Sequence, residues 1–249
     1  FTKDSTHILY ITCEDELGNS VEDEEIFLVD STPPETTKWY EDPFYENNGA
    51  KWITSNTLIH LDATDEKVGV NATYWRNIVL ENEEDWHYCY EDCYNWTPNY
   101  EGDWNEYTEP FTKAEESCHI IEYYSVDKLG NVEDIKWQCV FVDNTPPIAI
   151  KEIGEPHIST CGDNETPAEC EDWVSQNTEF TLSCEDLGDH PVGAEQICYR
   201  ISLNDDGSEY LTQDYCEEFG GEMGGNTSED WCCVDIGESY MFHFLEDSN

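Results

Sequence analysis

The sequence predicts an all-β chain built as tandem β-sandwiches, and three observations predict it. One paragraph of sequence occurs twice, as "THILYITCEDELGNSVEDEEIFLVDSTPP" from residue 6 and "CHIIEYYSVDKLGNVEDIKWQCVFVDNTPP" from residue 118. Its apolar runs are short and rich in Ile, Val, Tyr, Phe and Thr. They alternate with period two, Leu9, Ile11 and Cys13 against Ile8, Tyr10 and Thr12. Long helical patterns are absent.

The elements follow in chain order. Residues 1–33 read as the closing β-hairpin of a preceding unit. Asp15-Glu-Leu-Gly18-Asn19 makes its turn, since Gly and Asn tolerate positive φ and Asp bonds to turn backbone. Pro33-Pro34 is stiff and cannot extend a central strand, so it suits a domain seam. Residues 34–146 read as one complete unit, closed by the turn Asp127-Lys-Leu-Gly130-Asn131 and by a second Thr-Pro-Pro. Residues 147–249 repeat its landmarks: Trp173 for Trp52, Asn177 for Asn56, Asp186 for Asp65, Arg200 for Arg76. "SYMFHFLEDSN" at residues 239–249 reads as the first strand of the next closing hairpin, so this unit is expected to lack only its final strand. Units of about 110 residues with several short strands read as β-sandwiches of immunoglobulin-like type. With no initiator Met, the chain reads as a processed product or a segment of a longer one.

Composition bounds the partners. Against 58 acidic residues stand 10 basic ones, a formal net charge of −48. Such a surface repels phosphates and anionic lipid heads, which excludes nucleic acid and direct membrane insertion as expectations. It also repels itself, and calcium or another divalent cation is the expected counter-charge. Acidic clusters such as "NVED", "EDLGDHP" and "LNDDGSEY" supply oxygen donors of the kind hard cations take. Asp127, Asn131, Glu133, Asp186, Asp205 and Asp206 are the expected ligands, with a plain solvated acidic surface as the bland alternative.

Twelve cysteines without a Cys-x-x-Cys pair point to disulfides and an extracytoplasmic setting rather than to zinc or haem. Cys118 and Cys139 flank the hairpin and could staple it, while Cys89 and Cys93 pair together or reach elsewhere. Cys161, Cys170, Cys184, Cys198, Cys216, Cys232 and Cys233 complete the disulfide candidates. Cys13 stands where Ser125 stands in the next copy and reads as a small buried thiol. Asn71, Asn95, Asn164 and Asn226 head N-glycosylation sequons. The Trp- and Tyr-rich insertion "EEDWHYCYEDCYNWTPNYEGDWNEY" is either a private mini-core or an exposed aromatic surface for subunits or surface glycans. No nucleophile elbow, zinc-binding His-Glu-x-x-His or phosphate-cradling loop is present, so no catalytic residue is expected.

The run from His119 to Pro147, and that from His7 to Pro34, resemble immunoglobulin-like repeats of large secreted and surface-anchored archaeal and bacterial proteins. Those read His-x-Ile-x-Tyr-x-Ser/Ala-x-Asp-x-x-Gly-Asn-x-Glu, with Asp-x-Thr-x-Pro at the seam. The resemblance implies an extracellular, cell-surface structural protein, part of an S-layer, sheath or filament, joined head to tail with itself or continuing in a longer chain. An adhesin or carbohydrate-binding array of a larger secreted protein is the alternative.

Overall fold

The computed structural model describes residues 4–160, 172–193, 196–201, 216–217, 220–224, 231–235 and 240–243, and the chain divides into two compact units, Phe1–Asn144 and Thr145–Asn249. Both are built of strands. The only helical pieces among the described residues are turns of five residues or fewer.

In the first unit β1 (Ser5–Glu14) and β2 (Ser20–Val29) form an antiparallel hairpin. β3 (Glu35–Tyr40) pairs with β6 (Ile59–Thr64) in a second two-stranded sheet. The main sheet holds β4 (Phe44–Asn47), β5 (Ala50–Ile53), β7 (Val70–Leu80), β8 (Asn105–Glu106), β9 (Cys118–Asp127) and β10 (Lys136–Val142). Its order is β4-β5-β10-β9-β7-β8, with β5 and β10 parallel and the other pairs antiparallel.

Strand alternation explains why the central hairpin is apolar on both faces. Ile121 and Val140 point one way, into a core with Ile53, Ile59 and Val142. Ile120 and Phe141 point the other way, into a core with Leu80, Cys89, Cys118 and Cys139. The second face is dry because the aromatic insertion folds over it as three short turns, Glu83–Asp85, Tyr88–Asp92 and Cys93–Asn95. Trp86, Tyr88 and Trp96 pack there. Three indoles donate inward, Trp86 to the Leu80 carbonyl, Trp96 to the Glu122 carboxylate and Trp137 to the Cys93 carbonyl. The insertion is thus largely a private core, although Tyr90, Tyr94 and Tyr100 remain exposed.

The disulfides correct the expected staple across the hairpin. Cys118 sits opposite Phe141 and Cys139 opposite Ile120, so the two cysteines are not cross-strand partners. Each instead bonds the insertion, Cys89 to Cys118 and Cys93 to Cys139. In the second unit Cys198 bonds Cys233 and Cys216 bonds Cys232. Cys161 and Cys170 lie outside the described residues. Cys184 corrects another expectation, being a free thiol, and Cys13 is free and exposed rather than buried.

The described strands of the second unit reuse part of the plan. β11 (Ile148–Ile153) pairs with β14 (Phe180–Glu185) as β3 pairs with β6. β12 (His157–Ser159) and β13 (Asp172–Val174) stand for β4 and β5. β15 (Gln196–Tyr199) pairs with β17 (Cys232–Asp235), which also pairs with β16 (Glu222–Met223). β18 (Tyr240–Phe242) departs from the sequence register. Phe242 lies opposite Phe180 on β14, where the first unit sets Phe111 opposite Ile59. It is therefore the counterpart of the Phe111 segment and not of β9. The reason is packing: the Phe242 ring stacks on Phe180 and Tyr199 inside the unit's core.

One buried charge stands out in the first unit. The Lys38 Nζ is enclosed without a hydrogen-bond partner, 3.5 Å from the centre of the Tyr40 ring. Burial first, and Lys51 second, hold its pKa well below the usual lysine value. The folded chain thus binds this proton less readily than the unfolded chain, and stability from this group rises with pH up to the ordinary lysine pKa of about 10.4. Lys38→Met is expected to raise the unfolding free energy at neutral pH by about 1 kcal/mol or more and to flatten that alkaline rise in urea titrations. Replacing Cys93 and Cys139 together by Ser should cost about 2–4 kcal/mol in the same assay.

Candidate metal centre

The turn after β9 is built by one carboxylate. Asp127 Oδ1 accepts from the backbone N–H groups of Leu129 and Asn131, both at 2.8 Å, and Oδ2 accepts from Asn131 Nδ2 at 2.7 Å. Gly130 supplies the left-handed residue that closes the loop, with φ 89°. Burial works against the Asp127 carboxylate, yet the bonds from Asn131, Leu129 and Gly130 outweigh it and hold its pKa below the usual range. The same turn stands in the first hairpin, where Asp15 takes N–H groups of Leu17 and Asn19 and the Asn19 side chain at 2.7 Å.

Two further carboxylates meet Asp127. Asp65, after β6, accepts from the backbone N–H of Lys67 at 3.1 Å and of Gly69 at 2.6 Å. Asp30 belongs to the seam Val-Asp-Ser-Thr-Pro-Pro, and its backbone carbonyl accepts from Asn131 Nδ2 at 3.3 Å. Oxygens of Asp30, Asp65 and Asp127 lie within 4.8 Å of one another. Asp127 is buried, the other two half-buried. Asp30 Oδ2 is itself enclosed and lacks any hydrogen-bond partner, which is costly for a charged oxygen unless a cation meets it. The nearby ammonium of Lys67 is held by Asp4, whose carboxylate also takes Thr32 and Ser31 of the seam. Lys67 first, then those bonds, keep the Asp4 carboxyl far below the usual range. Three convergent carboxylates with a vacant oxygen are the donor set that hard divalent cations take.

The expected ligands divide accordingly. Asp127 is in the centre. Asn131 orients Asp127 through its side-chain amide N–H. Glu133 corrects the expectation outright. Its Oε1 accepts from the Thr36 N–H at 2.8 Å and pairs with Lys136 at 2.7 Å, while Oε2 takes the Thr36 hydroxyl at 2.6 Å and the Ser125 N–H at 3.1 Å. Every oxygen is committed to tying β3 onto β9, so none is left for a metal. Asp186, the repeat counterpart of Asp65, keeps an enclosed Oδ1 without a partner. Asp205 and Asp206 lie outside the described residues. The sequence reading missed Asp30 and Asp65, although both sat in repeated motifs.

The sequons divide as well. Asn71 is exposed at the bulge where β7 slips against β9, clear of the ladder. Asn95 is exposed and donates to Asp92. Asn164 and Asn226 lie outside the described residues.

Scans against protein-family models, curated proteins and solved structures found no match to this chain. Glu133→Gln is expected to lose about 2–3 kcal/mol of stability, because Lys136 loses its charged acceptor, with no change in any calcium-induced rise in melting temperature. Asp65→Asn should do the reverse: it relieves repulsion among the three carboxylates and raises the melting temperature in chelator, and any rise that added calcium produces is expected to be lost.

Proposed function

We propose that the chain is a structural, non-enzymatic protein of the cell surface. Its immunoglobulin-like β-sandwich units are joined in series and assemble into an extracellular filament, sheath or S-layer. The single observation that carries this reading is the repeated closing hairpin. His7 faces Phe27 in β1–β2 as His119 faces Val140 in β9–β10, and both hairpins end in the same Asp–Asn turn. A unit whose edge is finished by a copied part is a unit designed for serial use.

Two further features support it. Four disulfides among the described residues fit an oxidising, non-cytoplasmic compartment. No helix among them is long and apolar enough to cross a membrane. Calcium or a related divalent cation, held by Asp30, Asp65 and Asp127, would lock each seam to the unit that follows it and offset part of the −48 charge. N-linked glycans at Asn71 and Asn95 would add to the exposed surface. The aromatic insertion favours this reading over an adhesin or glycan-binding array, since its indole N–H groups donate inward and are not displayed.

Negative-stain electron microscopy with calcium and after chelation tests the proposal. Ordered fibres or lattices that come apart on chelation are expected. Dispersed particles in both conditions would move the reading to the binding array.

A further inference from the structure

One residue stands apart by its backbone. Asn48 has φ 51° and is the only residue other than glycine with a positive φ among the described residues. Gly49, which follows it, has φ 90°. The pair forms the whole loop between β4 and β5, because Asn47 faces Ala50 at the first rung of the ladder. Successive residues in the left-handed region make the type I′ turn that Asn-Gly favours in tight hairpins. Asn tolerates that region better than most residues with a side chain.

The same pair is chemically labile. A carboxamide side chain is followed by the backbone nitrogen of a glycine, and a missing Cβ leaves that nitrogen open to approach. Asn-Gly occurs once in the sequence, at this turn. Both residues are exposed, and a carbon added to Gly49 would meet nothing within 4 Å. Water and hydroxide therefore reach the site in the folded chain.

We propose that Asn48 is a site of self-catalysed deamidation, and that its β-linked product releases the β4 edge of the main sheet. The Gly49 nitrogen gives its proton to water or hydroxide and bonds the Asn48 Cγ. The Cγ–Nδ2 bond breaks, and ammonia leaves with a proton from solvent, closing a cyclic imide. Water then opens the ring at either carbonyl. Opening at Cγ gives aspartate at position 48 on an unaltered backbone. Opening at the backbone carbonyl gives isoaspartate, whose chain runs through Cβ and Cγ and is one carbon longer. Water is the co-reactant throughout, and hydroxide speeds the first step.

The two products differ in what they do to the fold. Asp-Gly suits a type I′ turn as well, so ordinary aspartate leaves the hairpin closed. Isoaspartate lengthens a loop that spans only Asn48 and Gly49, so Asn47 and Ala50 lose their register. β4 is poorly placed to absorb this. It is four residues long, ends the sheet order and pairs with β5 alone. Beyond that ladder it has Phe44 against the core, Tyr45 5.9 Å from Trp52, and the exposed 2.9 Å ion pair of Glu46 with Lys51. Exposed ion pairs contribute little.

Tryptic mapping of the 1–249 chain, kept folded in mildly alkaline buffer for weeks, is the test. The peptide from Trp39 to Lys51 carries the site. It is expected to gain the mass of OH exchanged for NH2 at position 48, and part of it should become a substrate for protein isoaspartyl methyltransferase. Asn56, exposed and followed by Thr57, is the reference and should change far more slowly. Asn48→Gly keeps the turn, since Gly-Gly adopts the same type, and should lose the signal in this peptide. Amide exchange in β4 should quicken in the isoaspartyl fraction and stay unchanged in freshly purified Asn48→Asp. Deamidation no faster than at Asn56, or seen only after urea unfolding, would overturn the labile turn. Isoaspartyl chains with β4 as protected as before would overturn the release of the edge.

Discussion

The first unit depends on the pairing of the β9–β10 hairpin with strands on both sides. β9 takes ten residues of β7, and β10 takes β5, so the hairpin is the member that turns two separate edges into one sheet. Both hydrophobic cores draw on its alternate residues. Both disulfides of the unit end on it, at Cys118 and Cys139. The buried Glu122 on β9 accepts from Arg76 Nε at 2.6 Å and from the Trp96 indole at 2.6 Å, which fastens the insertion from beneath. Arg76 also donates to the Glu101 and Asn99 carbonyls and lies over Trp104. Without the hairpin, each of these partners would be a buried polar group or an apolar face with nothing opposite.

Charge explains why so much of this fastening is covalent or aromatic. With ten basic residues, ion pairs cannot neutralise 58 carboxylates. The few cations are spent at structural corners: Arg76 beneath the insertion, Lys136 on Glu133, Lys67 on Asp4. Lys113, resting over the Trp75 ring, has its pKa pushed down to about 8 by burial and contributes even less positive charge under alkaline conditions. A surface that repels itself needs contacts that do not screen away with salt, and disulfides and stacked rings meet that need.

The sequence disclosed the repeat because turns and seams are written in local chemistry. Asp, Gly and Asn at fixed offsets specify one loop, and Pro-Pro one junction, whatever surrounds them. The strand class was legible for the same reason, since alternation is a local pattern. Pairing across the insertion was not legible. Whether Cys118 meets Cys139 or Cys89 depends on register and on which face a loop covers, and no spacing encodes that. Glu133 was misread because an acidic residue in an acidic run gives no sign that Thr36, nearly a hundred positions away, will consume its oxygens. β18 was misread because a short aromatic strand fits two places in a repeat, and packing against Phe180 chose between them.

The turn and the seam belong together for a physical reason. Asp127 uses both oxygens to hold Leu129 and Asn131, and the Asn131 amide it positions reaches on to the Asp30 carbonyl of the seam before it. Asp30 in turn fixes the Thr32 N–H at 3.1 Å, ahead of Pro33-Pro34. One loop therefore closes its own hairpin and receives the preceding linker. A change at Gly130, at Asn131 or in the Val-Asp-Ser-Thr run would disturb both tasks at once. Any chain that stacks such units must keep the two motifs in step, so the Leu-Gly-Asn turn and the Thr-Pro-Pro seam recur as a pair.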